Sequence, residues 1–395
     1  MSFWDDLFAT KKMIMGLSPM DGVTDAPMRY MSAKYGSRYS SAPVNQYSSD
    51  SQDNRNTEKP ENKSGVDLLI TEFVSVDALA HAKEEKAVGR IMKTFLRAQD
   101  IGELADKPYE VAQVFGHTPE LFYQAAVMIA TLGFDGMDIN MGCPMHKVED
   151  QGSGAGLIRT PEVAKEIVRQ SRQGMIDFAA GKVRIDDTEM SEAIKKWVKR
   201  HAKPTKTAQP LPISVKTRIG VNGDVAEEWM DHLMEVNPAN ISLHGRTLRQ
   251  LYQGMADWAA IGRAAAVVHK HGGHLLGNGD IQSIQDLGIK IQDYGVDGGL
   301  IGRAAEGNPG IFLQGSVPCK ICGLQGTEPC MHTRLAWMIE HAKIFEQVFG
   351  VGNFMPMRKH LAWYCKGFPG AVEMRSKLML TGSVEEVEKV IQDCV

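Results

Sequence analysis

Eight short apolar runs recur along this 395-residue chain, and helix-length segments separate most of them. They are Met13 to Met20, Leu68 to Val74, Tyr109 to Gly116, a run inside Gly133–Pro144, Ile213 to Arg218, Ile241 to Arg246, Leu275 to Asp280 and Gly298 to Arg303. Signals between them agree with helices. Thr24-Asp25-Ala26-Pro27 is a helix start with proline near the first helical position, and Thr118 to Leu132 reads as a helix leading into the fourth strand. Strand and helix alternating eight times over about 300 residues predict an α/β fold, a (β/α)8 barrel of the TIM type.

Polar residues gather where these strands end: Gln113, Asn140 with Cys143, Lys216 with Arg218, His244 with Arg246, Asn278, and Arg303. In such a barrel that rim is where active sites are built. Any one of these residues alone reads equally well as a cap or loop residue. The set does not, because a lysine near a barrel core is costly without an anionic partner.

The most informative stretch is Gly133-Phe134-Asp135-Gly136-Met137-Asp138-Ile139-Asn140-Met141-Gly142-Cys143-Pro144. Met137 and Ile139 alternate with Asp138 and Asn140, as in a half-buried strand. The run then breaks at Gly142, presents one thiol and is stiffened by Pro144. Two readings of Cys143 stand at this point: a working group at a strand end, or a small buried hydrophobe. Gly152-Ser153-Gly154-Ala155-Gly156 forms a small-residue turn before a helix starting near Pro161. After strands seven and eight come Gly277-Asn278-Gly279-Asp280 and Gly302-Arg303, where this fold often binds phosphate. Glycines let backbone N–H groups approach phosphate oxygens, and Arg303 adds a charged contact. A phosphorylated ligand follows, FMN being one of a few candidates.

Composition narrows the class. A 43% hydrophobic content supports a sizeable core, while no apolar run reaches the ~18 residues of a membrane span. Acids at Asp5 and Asp6 stand where a secretory signal would carry lysines, so no targeting segment is expected. Six cysteines in so long a chain fit a reducing cytoplasm better than a disulfide framework. The net charge of −4 neither points to nucleic acid nor excludes it, since local patches decide that.

At this point the motifs resemble those of the tRNA-dihydrouridine synthases. They are Pro19-Met20-Asp21-Gly22-Val23-Thr24-Asp25, Thr71-Glu72-Phe73, Asn140-Met141-Gly142-Cys143-Pro144, Val215-Lys216-Thr217-Arg218-Ile219-Gly220 and His244-Gly245-Arg246-Thr247. Tyr252-Gln253-Gly254-Met255-Ala256-Asp257-Trp258, Gly277-Asn278-Gly279-Asp280-Ile281 and Ile301-Gly302-Arg303 complete the series, in the family's order. The tail around Arg358–Tyr364 resembles the family's C-terminal helical RNA-binding domain more loosely. The resemblance implies a cytoplasmic, monomeric FMN enzyme, recharged by NADPH, that reduces the C5–C6 double bond of uridine in tRNA. It implies a barrel over 1–313 and a linker with a small helical tRNA-binding domain over 314–395. It makes Cys143 the acid that protonates C5, which an ordinary thiol, with a pKa near ~8.5, can do at neutral pH. Asn140, Lys147 and Arg218 would face substrate. Pro19, Met20, Gln113, Lys216, His244, Asn278, Gly279, Asp280, Gly302 and Arg303 would hold FMN, and no metal ligand is assigned to the catalytic site.

Three features depart from the family's usual form. Asn45–Gly65 is a polar insertion, and Gln173–Pro210 lengthens the link into strand five; both should emerge opposite the active site because they lead into strands. The second carries Lys195, Lys196, Lys199, Arg200, Lys203 and Lys206 around Trp197, favouring a solvated basic helix over an extra RNA contact. Third, Cys319-Lys320-Ile321-Cys322, then Cys330 and His332, suit tetrahedral zinc, an iron–sulfur site using Cys365, or unrelated loop cysteines. Between Cys319 and Gly370, six basic residues (Lys320, Arg334, Lys343, Arg358, Lys359, Lys366) outnumber three acids, and with Trp363 and Tyr364 suggest an RNA-backbone surface. Two competitors stand beside the tRNA reductase. A flavin barrel acting on a free pyrimidine would leave the helical tail without a purpose, and a non-catalytic RNA binder would not need Cys143, Lys216 and His244.

Overall fold

The computed structural model describes residues 2–37, 65–144, 152–204, 209–313, 317–319, 321–322, 325–326 and 328–394. Most of the first polar insertion, together with Lys147, Lys206 and Lys320, lies outside the described residues.

All eight expected strands are present: β1 (Ile14–Leu17), β2 (Leu68–Ser75), β3 (Tyr109–Phe115), β4 (Gly136–Met141), β5 (Ile213–Arg218), β6 (Ile241–His244), β7 (Leu275–Asn278) and β8 (Gly298–Ile301). They pair in parallel in chain order, and β8 returns to β1 to close a barrel. The strands stop short of their polar tails: β6 ends at His244 and β8 at Ile301, leaving Arg246 and Arg303 on the loops beyond. Helix Pro119–Thr131 opens on proline at its first turn, as does helix Pro161–Ala179, and the two pack against each other outside the barrel.

Alternation along each strand sends every second side chain into the barrel. At the strand starts those residues are apolar: Ile14, Leu68, Ile70, Val111, Leu276 and Leu300 form one buried cluster with Trp4 and Leu7. Trp4 and Leu7 come from helix Phe3–Thr10, whose start is fixed by reciprocal bonds between Ser2 and Asp5. Asp5 thus helps to start a helix that seals one barrel end. Higher up, the same alternation becomes polar. Pairing sets Gln113, Asp138 and Ser214 side by side, then Asn140 beside Lys216, then Arg218 beside His244 beside Asn278.

The segment 173–210 begins inside helix Pro161–Ala179 and continues through helix Glu192–His201. Ile194 and Val198 are buried where that helix meets helices Glu85–Met92 and Pro119–Thr131. Its basic face is only partly solvated, since buried Lys195 bonds Asp186 O and Glu192. The Lys203 N–H donates to Thr131 O, just ahead of β4 and at the opposite end of that strand from Cys143.

Contacts divide the chain into two compact units. The first, Met1–Ala26, Asp67–Arg97 and Pro108–Arg303, contains the barrel. The second, Pro27–Val66, Ala98–Lys107 and Ala304–Val395, is built on helices Met331–Phe349, Met357–Tyr364, Ala371–Leu378 and Val384–Cys394. Within it, Glu340 binds Lys34 and Tyr35 from far earlier in the chain. Two short antiparallel strands, β9 (Val317–Pro318) and β10 (Gln325–Gly326), precede its first long helix. The proposed RNA-facing set is partly internal. Arg334 and Tyr364 are buried, the first bonding Pro329 O, Gly307 O and Glu328, the second His341. Arg358 spends its donors on Thr381 O and Leu380 O, and Lys343 pairs with Glu388. Among the described residues no helix is long and apolar enough to cross a membrane.

Candidate active site

The polar residues of the upper barrel converge at the strand ends, where Cys143 lies. Cys143 follows β4 in a turn held by one side chain: Asn140 Oδ1 accepts from the N–H groups of Gly142 (3.0 Å) and Cys143 (2.9 Å). The turn packs closely on β5, since a Cβ at Gly142 would sit 3.3 Å from the Thr217 backbone. Arg218 clamps the turn from the next strand, donating from Nε to Gly142 O (2.7 Å) and from Nη1 to Thr247 O and Leu251 O. The small-residue turn closes the other side, with the Ala155 N–H donating to Cys143 O. Cys143 is 4% exposed, so the thiol sits at a nearly closed mouth.

Beneath it runs a chain of side-chain bonds. Asn140 Nδ2 donates to Gln113 Oε1 (3.0 Å), Gln113 Nε2 to Asp138 Oδ2 (2.7 Å), and Ser214 Oγ to Asp138 Oδ1 (2.6 Å). Burial pushes the Asp138 carboxyl up to about 6, against the bonds from Ser214 and Gln113 and the charge of Lys216. Lys216 reaches across the barrel to Asn278 Oδ1 at 3.0 Å. Burial and the neighbouring Arg218 bring it down to about 8, although Asp138 and Cys143 favour its charge. It therefore remains mostly protonated at neutral pH. Asn278 is fixed in turn by donating to Leu300 O (2.8 Å) and Ser18 Oγ.

His244 and the last two loops form the other half. Burial, then the charges of Lys216, Arg218, Arg246 and Arg303, hold His244 well below its ordinary pKa, so its ring is neutral. Asp280, at φ 53°, takes Arg246 Nη2 on one oxygen and Arg303 Nη2 on the other, each at 2.7 Å, and also accepts from the Ala256 N–H. Burial would raise its carboxyl, but Ala256 and the two arginines hold it below the usual range. Gly279 has φ 118° and would place a Cβ 2.7 Å from that of Ala256, which only glycine avoids. Met20 Sδ lies 3.3 Å from where Gly302 would carry a Cβ, bringing the Pro19–Met20 segment onto the eighth loop.

The charge balance of this rim is uneven. Lys216, Arg218, Arg246 and Arg303 all act on His244, whereas the carboxylates bonded into the same network are Asp138 and Asp280. Two buried nitrogens, Arg246 Nη1 and His244 Nδ1, have no hydrogen-bond partner among the described residues. Each such buried polar atom costs ~1–3 kcal/mol if it stays unmet. An anionic ligand with several acceptor oxygens would match the charge and the orphaned Arg246 Nη1.

Asn140 and Gln113 bond each other, and Asn140 also holds the turn. Asp280 holds two guanidiniums and so fixes where Arg303 lies. Asp138, Ser214 and Arg246 join the site although the sequence alone assigns them no part in binding. The signal for the first two is the i, i+2 spacing to Asn140 and Lys216 on adjacent strands. Lys147 lies outside the described residues.

A family model described as dihydrouridine synthase matches residues 16–203 and 192–395. A relative from Bacillus subtilis (strain 168), named a probable tRNA-dihydrouridine synthase 2, is 28% identical over 403 residues, covering 99% of this chain and 96% of its own. Another from Synechocystis sp., named a probable tRNA-dihydrouridine synthase 1, is 28% identical over 331 residues, with 83% and 79% covered.

Proposed function

This chain belongs to the dihydrouridine synthase family, and from that premise we propose that it reduces the C5–C6 double bond of uridine in tRNA. Residues 1–313 carry the chemistry in this reading, and 314–395 hold the RNA, in the cytoplasm and as a monomer. The observation that carries it is Cys143, fixed by Asn140 at the mouth of the barrel and flanked by Lys216 and Arg218.

FMN fits the residues present. Its phosphate matches the surplus positive charge around Gly279, Gly302 and Arg303, and its polar ring edge offers partners to Arg246 Nη1 and His244 Nδ1. Lys216 and His244 would lie along the ring, Pro19 and Met20 against it, and Gln113, Asn278 and Asp280 would brace these contacts. Bound FMN, recharged by NADPH, supplies the hydride that uracil takes at C6.

The protein supplies the proton. Cys143 passes S–H hydrogen to C5 as the C5–C6 double bond is lost, leaving a thiolate that regains its proton from solvent before the next cycle. Lys216 and Arg218 both respond to charge on Cys143, so the thiolate forms between two cations. Asn140 holds the donor in line, and Arg218, with Lys147, meets the nucleotide. The target base must leave its stack to enter, at roughly a few kcal/mol, and residues 314–395 grip the tRNA meanwhile.

The test is direct. Purified protein should carry FMN and, with NADPH, should convert uridine to dihydrouridine in unmodified tRNA, read by nucleoside mass spectrometry. Colourless protein that takes up no FMN on titration refutes the cofactor assignment. Flavin-loaded protein that reduces free uracil but not tRNA refutes the substrate.

A further inference from the structure

The catalytic reading makes no use of four ligating side chains that follow the last barrel strand in sequence, Cys319, Cys322, Cys330 and His332. Their Sγ atoms and a ring nitrogen of His332 all lie within 4.8 Å of one another. Cys322 Sγ and Cys330 Sγ are 3.5 Å apart. A tetrahedron with Zn–S bonds of ~2.3 Å has edges of roughly 3.7 Å. The spacing is thus that of ligands around one small ion, and is far longer than the ~2.05 Å of a disulfide.

The local backbone builds this arrangement. Cys319 follows β9 and Cys322 precedes β10, so the antiparallel pairing of Pro318 with Gln325 closes the arms of the Cys-x-x-Cys turn. The N–H groups of Cys322 and Ile321 point back at the Cys319 sulfur. Cys330 stands at the N-cap of helix Met331–Phe349 and His332 in its first turn. The helix N-terminus favours thiolate there. Arg334, buried one turn on, is close enough to Cys330 to feel its charge.

Cys322 is exposed, the less common fate of a thiol kept only for packing. A ladder two residues long is too small to hold itself, and segments of this kind are usually stapled. Cys365 is buried outside the group, so the fourth thiolate of an iron–sulfur cluster is not assembled.

We propose that Cys319, Cys322, Cys330 and His332 bind one structural zinc ion that ties the β9–β10 hairpin to the start of helix Met331–Phe349. Three thiolates and a neutral imidazole around Zn²⁺ give the site a net charge of −1, beside Arg334, which also pairs with Glu328. Full-length protein purified without chelators should contain about one zinc per chain by metal analysis. Exchange for cobalt(II) should give the strong visible bands and the thiolate charge-transfer absorption of a tetrahedral sulfur-rich site. Cys322→Ser, chosen because that side chain is exposed, should weaken metal binding by at least ~10–100-fold, the range lost when even a supporting partner is removed. Cys365→Ser should keep the metal. The proposal is overturned by metal-free protein that shows no cobalt bands, by iron with acid-labile sulfide, by loss of two thiols to a disulfide in unreduced protein, or by zinc that survives Cys322→Ser. None of these readouts depends on uridine reduction, so the site stands or falls apart from the catalytic reading.

Discussion

The two ends of the barrel interior are built by the same alternation and do opposite work. At the strand starts, the apolar side chains of Ile14, Leu68, Val111, Leu276 and Leu300 close over Trp4 and Leu7. At the strand ends, Asp138, Lys216, Arg218 and His244 are packed together with displaced protonation equilibria. The first arrangement gains free energy on folding through apolar burial. The second costs folding free energy in desolvated charge, offset in part by the bonds among Asp138, Ser214, Lys216, Asn278, Arg246 and Asp280. Under the proposed function, one end sets stability and the other sets affinity and rate.

The largest test of that division is at the polar end. Cys143→Ala should leave NADPH-driven flavin reduction near its normal rate and slow reoxidation by tRNA ~10²–10⁴-fold, the contribution of a positioned acid. Stopped-flow absorbance with the two steps run separately reads this; an unchanged tRNA step removes Cys143 from the chemistry. At the apolar end, Trp4→Ala should cost ~3–5 kcal/mol of stability in denaturant titration, as for large buried aromatics elsewhere. Flavin content per folded molecule should be unchanged, and a selective loss of flavin would mean that the two ends are not separable.

A smaller effect follows from Lys216. Its pKa lies below the ordinary lysine value, at about 8, and a bound anion favours the charged form. Flavin affinity should then be full below about pH 8 and fall by up to ~tenfold per unit as pH rises from there toward the ligand-bound pKa. Lys216→Met should bind more weakly at neutral pH and lose this slope. The same slope in the methionine variant would assign the titration to another group.

The sequence by itself determined the strand–helix order, the barrel class, the polar strand ends and the thiol at the centre. Each is written in local periodicity, in proline and glycine placement, or in residue type at a strand terminus, and none needs a distant partner to be legible. Closure decided the rest, because a side chain's role depends on what the fold brings opposite it. Asn140 begins a turn that folds back and supplies two N–H groups to its oxygen. Asp280 receives Arg246, from β6's loop, and Arg303, from β8's, at its two oxygens. Arg334 and Tyr364 counted as surface in a linear tally and are buried by helix packing. Trp4 and Leu7 had no visible role until eight strands enclosed an apolar opening for them to fill. Cys319 and His332 are thirteen positions apart along the chain, and it took a two-residue ladder and a helix start to set them around one point.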